Sequence, residues 1–292
     1  MELIDPGPVE QYVRLRECQG GGFCFYRLDE PNLFDTFFAV HTLALLGNDP
    51  VMLPKTMAFT RKFFAQPLAL GSLWGALYGA AILNLYGDPI PKRDELQDLI
   101  RRYLEQKLTR GGQRETTSSL ELMNYAVETM AKLGGLDSHG LRQKIRDYLL
   151  GFRNDDGGFG RVSSLKDTFL VSNMLCRVEY PIDECSVPRE FILRCENEEY
   201  GFTAVPGSSP AFLEDVYFGL SLCSLFNIQP HFTSAIVRFL CGCQSALNGF
   251  RRSHLLGITT LEYTYMAVRA LSLVEVYEPV ISESVGRSLV GR

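Results

Sequence analysis

The sequence predicts an all-α protein in which six inner and six outer helices close into an α/α toroid. Three observations predict it. Six apolar runs recur along the chain, an amphipathic stretch precedes most of them, and loops carrying Gly-Phe join the two kinds of segment. Self-similarity at a fixed period of tens of residues marks a repeat architecture.

The apolar runs are FDTFFAVHTLALLGNDP, LWGALYGAAILNLYGDP, LELMNYAVETMAKLGG, KDTFLVSNMLCRVEYP, EDVYFGLSLCSLFNIQP and LEYTYMAVRALSLVEV. Aligned on Asp35, Gly75, Glu121, Asp167, Asp215 and Glu262, they are spaced by 40, 46, 46, 48 and 47 residues, a period of about 47. Each is too long for an ordinary strand and nearly apolar on all sides, which describes a buried helix. The preceding segments, among them PVEQYVRLREC, RDELQDLIRRYLEQKL, LRQKIRDYLLGF and HFTSAIVRFLCGC, alternate polar and apolar residues at helical spacing and describe an outer helix. Between the two lie Gly22-Phe23, Gly158-Phe159, Gly201-Phe202 and Gly249-Phe250.

Two-helix repeats commonly stack into an open solenoid, which leaves one face of the inner helices to solvent. These inner helices show no polar face to spare. A closed ring around one central cavity follows, with residues 1–292 forming a single domain of six repeats. The acids at the helix starts then read as caps: Asp35, Asp167 and Asp215 at N-cap positions, Glu121 and Glu262 against the positive end of the helix dipole. With all inner helices running one way, they form a polar rim at one mouth.

Composition excludes several classes. A net charge of −5 and no clustered Lys or Arg exclude a general nucleic-acid binder. No apolar stretch is long enough to cross a membrane, so no transmembrane segment is expected. The start, MELIDPGPVE, is acidic and lacks the features of a secretory signal, so a cytoplasmic location is expected. The eight cysteines (18, 24, 176, 185, 195, 223, 241 and 243), several of them inside apolar runs, read as free buried thiols rather than a disulfide framework. Cys241 and Cys243 form a CxC pair, but the histidines at 41, 139, 231 and 254 make no ligand pair, and a zinc site normally needs four well-placed N or S ligands.

The GGGF at 20–23 and GGFG at 157–160, followed by Asp-Thr-Phe or Asp-Val-Tyr and an apolar helix, resemble the protein prenyltransferase β-subunits and the squalene and oxidosqualene cyclases. The resemblance covers essentially the whole chain and implies the six-repeat toroid. In the prenyltransferases it implies a zinc held by an Asp-x-Cys at one inner-helix start and a His three residues after the Asp of the next. Those positions fall on Asp167, Phe169 and Phe218. One carboxylate cannot assemble the site, so no metal ligands are assigned and no cofactor is expected, magnesium entering only with a bound diphosphate. The implied diphosphate Arg is Arg161, and Lys166 lies near the position of the implied Lys, which is Ser164 itself; a guanidinium grips such oxygens bidentately. The remaining implied contacts fall on the Ser119-Leu120 region and on Leu170. The Asp-x-Asp-Asp acid of the cyclases is absent, leaving Asp167 and Asp215 as candidate acids with raised pKa values if buried.

Aromatic residues crowd the inner-helix starts, and Phe37, Phe38, Trp74, Tyr125, Phe169, Tyr217, Phe218 and Tyr263 are the candidate ligand-binding residues. Such a pocket suits an apolar chain or a carbocation derived from it. The expected function is processing of a terpene or prenyl diphosphate by a prenyltransferase-like or terpene cyclase-like transferase without the usual zinc. A non-catalytic isoprenoid- or lipid-binding protein is the alternative. An interaction scaffold, with a helical α-subunit-like partner, is the third reading.

Overall fold

A computed structural model describes residues 3–26, 28–48, 53–109, 116–137, 140–181 and 188–289, with side chains through 275. Cys185, His139 and the acids at 183 and 184 lie outside the described residues. Twelve helices alternate between two shells. The outer helices are α1 (Pro6–Arg14), α3 (Pro54–Phe63), α5 (Arg93–Thr109), α7 (Leu141–Leu150), α9 (Pro188–Arg194) and α11 (Thr233–Gly242). The inner ones are α2 (Leu33–Leu45), α4 (Leu73–Leu85), α6 (Thr117–Lys132), α8 (Leu165–Arg177), α10 (Leu213–Leu225) and α12 (Leu261–Leu289). Each inner helix packs against the next, and α12 packs against α2 as closely as against α10, so the ring is closed. Within the described residues, this is the six-over-six toroid that the period predicts.

The repeating loop explains the Asp-Thr-Phe signature. Phe23, Phe159, Phe202 and Phe250 are wholly buried, each gaining about 1.5–3 kcal/mol from the transfer out of water. Each pairs in antiparallel fashion with a residue six positions earlier: Glu17, Arg153, Glu196 or Gln244. Three of these Phe backbone N–H groups donate to a buried threonine in the first turn of the following inner helix: Phe23 to Thr36 (3.0 Å), Phe159 to Thr168 (3.0 Å) and Phe250 to Thr264 (3.1 Å). Burying an amide without a partner costs about 1–3 kcal/mol, so the threonine is a latch that lets the loop be buried. In the fifth repeat Val216 takes that place, and β1 (Glu196–Asn197) with β2 (Gly201–Phe202) forms a regular two-residue ladder there instead. At Gly219 of α10 a side chain would collide with the Phe202 ring, so the bare backbone makes room for this anchor.

Two expectations are corrected. The aspartates are not the N-caps. Asn32 and Ser164 cap α2 and α8, their side-chain oxygens accepting from the amides of Asp35 (2.8 Å) and Asp167 (3.1 Å). Phe212 occupies the N-cap position of α10. The aspartates stand three residues into the sequence of the cap, at N3, and two reach back: Asp35 accepts from Phe25 N–H (3.0 Å) and Asp215 from Phe212 N–H (2.9 Å). A short carboxylate at N3 satisfies loop donors that the helix itself cannot. Second, the inner helices do have a polar stripe. It runs toward the ring axis, one turn beyond the aromatic residues, where composition averaged over a whole helix hides it.

Candidate functional site

Aromatic side chains from the first two or three turns of the six inner helices form a connected net at one end of the ring. Phe34, Phe37 and Phe38 of α2 contact Tyr78 of α4 and Tyr265 of α12, with Phe34–Phe38, Phe37–Tyr78 and Phe38–Tyr265 centroids 4.9, 5.2 and 5.6 Å apart. Phe37 also reaches Tyr125 at 5.7 Å. Because α2 and α6 are not neighbours in the ring, this contact crosses the bore. Trp74 stacks on Tyr78 at 5.6 Å and abuts Tyr125 at 6.0 Å. On the far side Phe169 and Phe218 lie 5.4 Å apart, and Tyr217 joins them to Tyr265 at 6.2 Å. Edge-to-face pairs of this kind add about 0.5–1.5 kcal/mol beyond area burial.

A cavity of about 610 Å³ runs from this net toward the C-terminal ends of the inner helices. Phe37, Phe38, Tyr125, Phe169, Tyr217, Phe218 and Tyr265 form its floor. Burial raises the pKa values of Tyr125 and Tyr217, and the Tyr217 and Tyr265 hydroxyls hydrogen-bond to each other. The wall beyond is polar. His41, Asn124, Glu128, Asn173, Arg177 and Arg269 belong to it, with Lys132 near the opening. His41 Nδ1 lies 2.8 Å from the Phe37 carbonyl, which can only accept, so Nδ1 carries the proton and Nε2 is left as an acceptor. Burial pushes the His41 pKa down to about 4, and the ring is neutral at pH 7. Asn173 donates to Asn124 at 2.8 Å, while Lys132 (3.1 Å) and Arg177 (3.6 Å) share the Glu128 carboxylate.

Most of the sequence-predicted aromatics therefore converge on one cavity, but the charged candidates do not. Trp74 backs the floor without lining the cavity, and Tyr263 stands at the half-buried start of α12 outside it. Arg161 is exposed in its loop. Lys166 pairs with Glu121 at 3.1 Å and lies 5.7 Å from the Phe218 ring. Asp167 and Asp215 lie outside the lining. Desolvation raises the pKa of Asp167, against the hydrogen bond from Thr117, whose hydroxyl is 3.4 Å from Oδ2; Oδ1 is buried without a partner among the described residues. Gly160 (φ +122°) makes room for this carboxylate: a Cβ there would stand 2.6 Å from Asp167 Oδ2. Burial likewise pushes Asp215 up to about 6. Glu262 is pushed to about 7, by burial first and then by the charge of Glu121.

The polar wall was missed at the sequence level, although its signal is present. Five polar residues of the lining stand four positions after a floor aromatic: Phe37/His41, Tyr125/Thr129, Phe169/Asn173, Tyr217/Ser221 and Tyr265/Arg269. Side chains four apart share a helix face.

For zinc, the residues at the positions implied by the resemblance do not fit. Asp167 has Phe169 and Phe218 for company, two rings in mutual contact that offer no ligand atom. Among the described residues, no three His, Cys, Asp or Glu side chains gather to hold a metal. Among the described residues no cysteine forms a disulfide; Cys243 is buried and Cys241 exposed. No helix among the described residues is long and apolar enough to cross a membrane.

The model of the prenyltransferase alpha-alpha toroid domain matches residues 7–67, 57–211 and 213–290. Among solved structures, Candida albicans protein geranylgeranyltransferase-I complexed with GGPP superimposes with a TM-score of 0.63 at 14% identity, over 92% of this chain and 91% of that one. No curated protein sequence matches the chain.

Proposed function

Because the chain belongs to the prenyltransferase alpha-alpha toroid family, we propose that it acts on isoprenoids, and that it does so by holding an isoprenoid chain in the ring rather than by zinc-assisted transfer. The observation that carries this reading is the cavity floor, built from seven aromatic side chains in a space of about 610 Å³. Apolar, aromatic-lined pockets of about 300–1,000 Å³ suit small apolar ligands, and this floor offers ring faces and edges with few competing polar groups. The geranylgeranyltransferase that shares the fold is described in complex with GGPP. Extending an isoprenoid of that kind to this chain is part of the proposal.

Binding is favoured over catalysis by the placement of the acids. The Asp215 carboxylate is engaged by the backbone at its helix start, Asp167 is packed against Gly160 and Thr117, and neither faces the cavity. Neither candidate carboxylic acid is aimed at the ligand, and the residues at the implied metal positions do not fit zinc. The single tryptophan, Trp74, stands in contact with Tyr125 of the floor and serves as an internal reporter.

The experiment is titration with C15 and C20 isoprenoid alcohols, followed by Trp74 emission and thermal melting. Saturable emission change and a raised Tm support the proposal, since a ligand that binds only the folded state stabilises it. No response to either alcohol, with no isoprenoid in solvent extracts of the purified protein, overturns it. Turnover of an allylic diphosphate would replace binding by catalysis.

A further inference from the structure

The inner helices place an excess of positive charge at the end of the cavity opposite the aromatic net. Lys132 ends α6, Arg177 ends α8, and Arg269 projects from α12, all three exposed side chains in the cavity lining. Glu128 is the carboxylate set against them, shared by Lys132 and Arg177. The other carboxylate of the lining, Glu121, is engaged by Lys166.

Helix-end electrostatics account for part of this cluster. A cation in the last turn offsets the negative end of a helix, which suits Lys132 and Arg177. That explanation does not reach Arg269, eight residues after the first residue of a helix running from Leu261 to Leu289. Nor does a side-chain hydrogen bond or ion pair occupy its guanidinium among the described residues. A solvent-exposed guanidinium in a cavity lining that also holds two half-neutralised cations is suited to bidentate capture of phosphate or carboxylate oxygens.

We propose that Arg269, Arg177 and Lys132 form an anion site that takes the phosphate or diphosphate head of an amphiphile, with its apolar chain running inward to the aromatic floor. The placement inverts the sequence-level expectation, which puts the head at the helix N-termini with Arg161 and Lys166. Phe37 and Tyr125 close the bore on that side, whereas the three cations stand where solvent enters. The apolar half of this ligand rests on the function proposed above; the anion site does not.

Calorimetric titration at low salt with three probes separates the two. The probes are inorganic pyrophosphate, a C15 isoprenoid alcohol and the corresponding diphosphate, each tested against the unaltered protein, an Arg269→Gln/Arg177→Gln variant and an Arg161→Ala variant. The diphosphate is expected to bind at least tenfold more tightly than the alcohol. The double substitution should erase that preference while leaving alcohol affinity and Tm unchanged, and Arg161→Ala should leave both affinities as they are. Equal affinity for alcohol and diphosphate, or a preference abolished by Arg161→Ala instead, overturns the site. Pyrophosphate binding that depends on Arg269 and Arg177 without any alcohol binding supports the anion site as one for free phosphates, and sinks the isoprenoid reading alone. No binding of any probe overturns both.

Discussion

At the end of the ring where the inner helices begin, aromatic side chains from all six helices touch one another across the bore. At the other end the same helices show Asn, His, Lys, Arg and Glu to the open cavity. The two ends are about two helical turns apart and are made by the same repeat. The difference teaches that this repeat specifies the ring through its loops and first turns, where Phe, Thr and Asp recur, and leaves the later turns free to vary. Stability should therefore be concentrated at one end and ligand chemistry at the other.

That contrast can be broken by substitution. Phe37→Ala removes a buried ring touching Phe38, His41, Tyr78, Tyr125 and Tyr265, and should destabilise by about 3–5 kcal/mol, read as a fall in denaturation midpoint. A loss below about 1 kcal/mol would show that the net is not what holds the helix starts together. Thr168→Val keeps the shape of the latch but orphans the Phe159 amide, and should cost about 1–3 kcal/mol in the same measurement.

The closed end also predicts a pH dependence. Glu262 has a folded pKa of about 7 against an ordinary value near 4.5, so the folded state holds an extra proton between those values. Stability is then fully present below about pH 4.5 and falls as pH rises through 7, an effect on the order of 1 kcal/mol. Melting at pH 5.5 and pH 8 should show a higher Tm at the lower pH from this group, and Glu262→Gln should flatten the difference. A Glu262→Gln profile that still falls as steeply would assign the slope elsewhere, Asp215 with its pKa of about 6 being the next candidate. Smallest in stability is Arg269→Gln at the open end, expected to leave Tm within about 2 °C because the side chain is exposed and unpaired among the described residues.

The closed end was legible in the sequence and the open end was not, for a physical reason. The period, the Gly-Phe loops and the aromatic first turns each stand out as local patterns, because a capped, latched helix start needs particular residue types at fixed offsets. Phe37, Phe169 and Tyr217 could thus be placed on the cavity side from their distance to an acid. The role of the acid itself was misread by three positions: Asp35 and Asp167 look like caps until Asn32 and Ser164 are seen to fill that place. The polar wall has no such signature. Asn173 and Arg269 are single polar residues in apolar runs, and only a common register across several helices, which the closed ring supplies, brings them to one surface.

The closure of the ring by α12 on α2 has a consequence for how the chain reaches this state. From Leu45 at the end of α2 to Leu261 at the start of α12 the sequence runs 216 positions, yet the two helices are neighbours. The other extensive inner-helix packings, α2 on α4, α4 on α6, α6 on α8, α8 on α10 and α10 on α12, join adjacent repeats and can form as the chain emerges. This one must wait for the last repeat, and it carries the loop-closure entropy of nearly the whole molecule. Until α12 docks, α2 and α10 each present an uncovered apolar flank, so the final step of folding is also the step at which the protein is most open to capture by chaperones or by its own copies.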